Sequence, residues 1–160
     1  MDCDELGIPP HLHRNRRRKI PHFDNAELLY RRFETLDKGG KPDITKIKPI
    51  RGLSTNRESL CQSPEDVLYE GLTGLYFPKW GVFSFRVGLI RSFQLIHPET
   101  NDTFTFNVAH EPIQCMFPHS EITVIKNGNI LPYDDDLPKP LRRRFRRFLR
   151  NECDIPKLPN

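Results

Sequence analysis

The segment NVAHEPIQCMFPHSEI gathers His110, Glu111, Cys115, His119 and Glu121 into one short stretch. Imidazole, thiolate and carboxylate are zinc donors, so His110, Cys115 and His119 are the metal-ligand candidates. The histidines stand nine residues apart with a single cysteine between them. That matches no standard zinc spacing, and no metal is expected. A Cys–His nucleophilic pair is the other chemistry open to these residues, but a cysteine among apolar neighbours more often packs as a small hydrophobe.

A second group of residues is suited to binding. Arg14, Arg16, Arg17, Arg18 and Lys19 form one basic cluster, and six arginines fall between Arg142 and Arg150. Guanidinium forks match phosphate and carboxylate bidentately and stack on bases, which lysine does not do. Phosphate contacts are assigned to Arg16, Arg17, Arg18, Arg142, Arg143, Arg146 and Arg147. No helix-turn-helix, zinc-finger, RNP or KH signature is present. The expected partner is therefore RNA or DNA, held mainly by its backbone with little sequence specificity. Leu141, Phe145, Phe148 and Leu149 recur at helical spacing and make the C-terminal run an amphipathic helix. The same helix could instead dock a protein partner, or be only the solvated face of a packed element. A membrane surface suits it less, because the stripe is short and no tryptophan or lipidation motif accompanies it.

A third constellation is spread along the chain as YRRF (30–33), LSTN (53–56) and HSEI (119–122). This order of Arg, Ser-Thr and late Glu resembles the Arg-Ser-Glu ADP-ribosyltransferases. The resemblance implies an enzyme reading with NAD. Arg31 or Arg32 would hold the NAD phosphates, Ser54 would brace the nicotinamide side, and Glu121 would activate the acceptor. Two positions depart from that pattern: Asn56 replaces the second serine of Ser-Thr-Ser, and His119 stands two before Glu121, where the family has Gln or Glu. Over residues 27–125, ELLYRRF, LSTNRESLCQSPEDVLY, WGVFSFRVGLI and HEPIQCMFPHSEI also resemble an uncharacterised family of small prokaryotic α+β proteins from mobile or defence loci. That likeness implies a fold and no activity. Outside the NAD reading, no cofactor is expected.

These residues need a scaffold, and 160 residues with 36% hydrophobic and 10% aromatic content suit one domain with a core. Fifteen prolines argue for short elements joined by turns. The expected class is α+β: a small antiparallel sheet, one or two covering helices, and the basic C-terminal helix. Residues 1–22 are expected as a basic extended arm, 23–136 as the α+β domain, and 137–160 as the helix and tail packed on it. AELLYRRF reads first as a helix from near Ala26 and also fits a strand leading into a turn, and Ser63-Pro64 starts a predicted helix. ITKIKPI is expected to run extended, and Leu53–Asn56 as a short strand. WGVFSFRVGLI is a predicted strand with Phe83, Phe85 and Val87 inward, continuing through RSFQLIHP and pairing with TFTFNVAH. Asn127-Gly128 is a hairpin turn. Four scattered cysteines with no CxxC pair, an acidic N-terminus and no long apolar run together suggest a cytoplasmic protein with free thiols and no transmembrane segment.

Overall fold

A computed structural model describes residues 2–160. The fold is mixed α/β and dominated by one curled antiparallel sheet. Its strands are β1 (Leu28–Phe33), β2 (Ser54–Arg57), β3 (Gly81–Arg86), β4 (Gln94–Ile96), β5 (Thr103–His110), β6 (His119–Lys126), β7 (Asn129–Ile130) and β8 (Asp154–Lys157). The spatial order is β4-β5-β6-β2-β1-β3-β8, and β7 adds to β6. Among the described residues two α-helices complete it, α1 (Val87–Ser92) and α2 (Lys139–Glu152).

Alternation builds the sheet. Phe104, Phe106, Val108 and His110 of β5 face inward, as do Ser120, Ile122 and Val124 of β6. Between strands β6 and β7, Asn127 and Gly128 both take positive φ, 50° and 85°, as the tight hairpin turn demands. On the inner face α2 seats Leu141, Phe145 and Leu149 in the main core. Phe145 packs on Phe106 with ring centroids 4.8 Å apart, and Phe148 stacks on Phe93 at 3.9 Å. Pro140 occupies the first turn, where a missing N–H costs nothing.

Several expectations are corrected. AELLYRRF carries strand β1, not a helix from Ala26. Leu29 and Phe33 are four residues apart, so they share a face on either element. Hydrogen bonding to β2 on one side and β3 on the other decides for the strand. The predicted helix at Ser63 is a single 3-10 turn, Pro64–Leu68, in which Asp66 accepts the Gln62 N–H at 2.7 Å. ITKIKPI turns instead of running straight, with Ile47 N donating to Ile44 O. The strand at 80–90 breaks after Arg86 into α1. β4 is what pairs with β5, while β3 pairs with β1 and β8.

The N-terminal segment does not run extended. Pro10–Leu12 forms a 3-10 turn, and Ile8 and Leu12 are buried with Met116. A disulfide joins Cys3 to Cys115, so the expectation of four free thiols fails and only Cys61 and Cys153 are free. No helix among the described residues is long and apolar enough to cross a membrane.

Candidate active site

The sheet order places β6, β2 and β1 side by side, so the three motifs of the sequence become neighbours. Between β2 and β6, Ser54 pairs with Glu121 and Asn56 with His119. Directly opposed residues share a face, so these four side chains stand together. Tyr30 pairs with Asn56 across β1 and β2. Arg32 lies two residues after Tyr30 and Ser54 two before Asn56, so the alternation brings Arg32 to the same face. Ile122 and Phe106 are on the other side, in the core where Phe145 of α2 packs on Phe106. The cleft and the basic helix therefore occupy opposite faces of the sheet.

The β1–β2 ladder has only two registered pairs. Past them the strands part, and Arg31 reaches across the split to donate Nη1 to Ser54 O at 2.7 Å. Arg31, Arg32, Ser54, Asn56 and Trp80 line a cleft of about 280 Å³ there. A second hollow of about 250 Å³ shares Arg32, Ser54 and Asn56, and adds Glu70, Met116, His119 and Glu121. The shared residues make them one elongated cleft. Glu121 also borders the neighbouring hollow formed with Arg51 and Gly52, so it stands at the rim.

The electrostatics favour an anion. Burial, with the like charge of Arg32 beside it, pushes the Arg31 guanidinium down to about 10. Arg32 is lowered by burial, against the opposing pull of Glu70. Its Nη1 reaches Val67 O and Tyr69 O only at 3.4 Å, and its guanidinium lies 5.1 Å from the centre of the Phe77 ring. Burial would raise Glu70, but hydrogen bonds from Thr73 and Leu72, with Arg32 nearby, outweigh it and hold the carboxyl below its ordinary range. Two shielded polar atoms in the cleft, Arg31 Nε and Asn56 Oδ1, have no protein partner. A buried donor on a cation and a buried acceptor with nothing to bind suit a ligand that carries both phosphate oxygens and N–H or O–H groups.

The metal-ligand candidates have their donors committed elsewhere. Cys115 is in the disulfide. Ile20 N donates to His110 Nδ1 at 2.9 Å, which leaves Nε2–H to donate to Phe117 O at 2.7 Å. Burial lowers the His110 pKa, opposed by that bond to Phe117. His119 Nδ1 lies 2.7 Å from Glu111 O, and its Nε2 lies 3.0 Å from Ser54 Oγ.

The arginines assigned to phosphate divide sharply. Arg17 donates to the carbonyls of His11, His13 and Arg14 and lies over the Phe117 ring at 4.0 Å. Arg142 is tied to Leu137 O at 3.1 Å and to Asp136, and Arg146 donates to Ile47 O at 2.6 Å. Arg16, Arg18, Arg143 and Arg147 are exposed. Arg143, Arg146, Arg147 and Arg150 line a groove of about 620 Å³ against Asp37, Pro42, Ile44 and Thr45. Sequence reasoning missed Glu70, Trp80 and the exposed Arg144. Asn56 was visible only as a departure from a motif.

No protein-family model matches this chain, and neither does any curated protein or solved structure.

Proposed function

We propose that the chain is an NAD-consuming transferase resembling the Arg-Ser-Glu ADP-ribosyltransferases. The observation that carries this reading is the meeting of Arg32, Ser54, His119 and Glu121 on one face of three adjacent strands, with Arg31 in the split beside them. Arg32 and Arg31 take the pyrophosphate, since a partly desolvated guanidinium gains most from a phosphate fork. Ser54 lies at the nicotinamide end, and Trp80 gives the cleft an aromatic wall. The glycosidic bond between the ribose C1′ and nicotinamide N1 breaks, and nicotinamide leaves with the electron pair. An acceptor nucleophile bonds to C1′, and Glu121 takes the acceptor's proton.

The test is nicotinamide release from NAD by the purified chain, with calorimetry for binding. Glu121→Gln is expected to bind NAD normally and to release nicotinamide about 10²-fold more slowly. An intact chain that shows no heat of NAD binding and no nicotinamide release overturns the reading.

A second reading keeps nucleic acid as a partner, on a different surface. Arg143, Arg144 and Arg147 are exposed, and no hydrogen bond or ion pair to them is found among the described residues. Arg143 and Arg147 are one turn apart, about 6 Å along the helix axis. Such unneutralised guanidinium groups attract a phosphodiester backbone. Anisotropy of a labelled oligonucleotide against rising salt tests it, and no binding at low salt removes it.

A further inference from the structure

We infer that Ser54 is the nucleophile of a Ser–His pair and accepts the ADP-ribosyl group itself, an inference that rests on the NAD reading above. A carbonyl oxygen can only accept, so the 2.7 Å contact between His119 Nδ1 and Glu111 O puts the ring hydrogen on Nδ1. In the neutral ring Nε2 is then an acceptor, and the Ser54 hydroxyl, 3.0 Å away, donates to it. Nucleophile, base and orienting group stand in the order that activates a hydroxyl.

The scaffold holds this order firmly. Glu111 N donates back to His119 O at 3.1 Å, so residues 111 and 119 are joined twice. Ser54 and His119 lie on adjacent, hydrogen-bonded strands, two residues off direct register and so on the same face. Ser54 is exposed at the mouth of the cleft while Thr55 and Asn56 beside it are buried, so its hydroxyl is the accessible one. Asn56, where the resembled family has serine, and His119, where it has Gln or Glu, are opposed in register. The two departures thus change a single spot.

The step balances. Ser54 Oγ attacks C1′ of the nicotinamide-bearing ribose, and the Oγ–C1′ bond forms as the C1′–N1 bond breaks. Nicotinamide departs with the electron pair of that bond and becomes neutral. The Ser54 proton moves to His119 Nε2. With Ser54 itself as the acceptor, His119 takes the proton that Glu121 would take from an external acceptor, and Glu121, opposite Ser54 in register, supplies negative charge on the face where C1′ becomes cationic. The product is an O-glycoside on Ser54, a self-modified chain that has released one nicotinamide.

The experiment incubates the full chain with NAD labelled in its adenylate half. It measures NAD binding by calorimetry, nicotinamide by chromatography, and the site of label by peptide mass spectrometry. The expected result is one ADP-ribose on the peptide containing Ser54, with label absent in Ser54→Ala. His119→Asn keeps a donor toward Glu111 O but has no base; it is expected to melt with the wild type and to lose the label. A fluorophosphonate probe gives a measure independent of NAD: it should label Ser54, and more than about tenfold more slowly in His119→Asn. NAD binding with repeated nicotinamide release and no label on Ser54 overturns this inference and leaves the NAD reading standing. Label retained in Ser54→Ala also overturns it. Absence of NAD binding overturns both.

Discussion

Arg57 and Arg147 carry the same side chain in opposite surroundings. Arg57 is 4% exposed and grips Glu27 with both forks, Nε to Oε2 at 2.7 Å and Nη2 to Oε1 at 2.8 Å. It also donates to Ile20 O and His22 O, and its guanidinium lies 3.7 Å over the Phe23 ring. Arg147 is exposed on α2, and no hydrogen bond or ion pair to it is found among the described residues. Arg31 and Arg32 are intermediate: partly buried, and only partly satisfied. The series runs from an arginine that holds the fold, through arginines with capacity left for a ligand, to arginines that cost the fold nothing. Composition counts them alike; the partners around them set their roles.

Removing one guanidinium of each kind tests that ordering. Arg57→Ala leaves the largely shielded Glu27 carboxylate with only the Ser59 hydroxyl and is expected to cost about 3–5 kcal/mol in urea denaturation. A loss under about 1 kcal/mol would place Arg57 with the surface arginines and break the comparison. Arg32→Ala is expected to weaken NAD binding by about tenfold to a hundredfold in calorimetry, the worth of a charged hydrogen bond, with a smaller change in stability.

Proton uptake sharpens the same contrast. His110 is depressed in the folded state, mainly by burial, so its contribution is complete above its unfolded pKa of about 6.5. That contribution is lost as pH falls from there through the lower folded value, and His110→Gln should flatten the melting temperature across this window. Asp37 sits elsewhere, held down to about 2 by its bond to Arg150. Its contribution is present above the unfolded carboxylate value of about 3.9 and is lost only as pH falls toward 2.

The smallest effect on stability belongs to the exposed helix face. Replacing Arg143, Arg144 and Arg147 together by alanine should move the unfolding free energy by no more than about 0.5 kcal/mol per site. The same triple variant should reduce the slope of log affinity against log salt for an oligonucleotide by about 2–3. An unchanged slope would leave these arginines as a solvated face only.

Much of the sheet was legible because β5 alternates cleanly and Asn127-Gly128 permits few turns. The cleft was legible only as three separated scraps. Nothing in YRRF shows which arginine faces Ser54; the register of β1 against β2 does. The disulfide was not legible, because Cys3 and Cys115 are 112 residues apart and flank no common motif. Strand β8 was missed for a similar reason. DIPK carries a proline, which an edge strand tolerates, and its partner β3 lies far back in the chain.

By itself the sequence determined local matters: the alternation of β5, the apolar stripe from Leu141 to Leu149, and the hairpin at Asn127-Gly128. These depend on residues within a few positions of one another, and chain geometry alone relates them. Only the tertiary structure decided that β1, β2 and β6 are neighbours, that Ser54 meets His119, and that Arg57 is buried while Arg147 is not. Those facts depend on strand order, and strand order follows from how distant apolar faces close on one core.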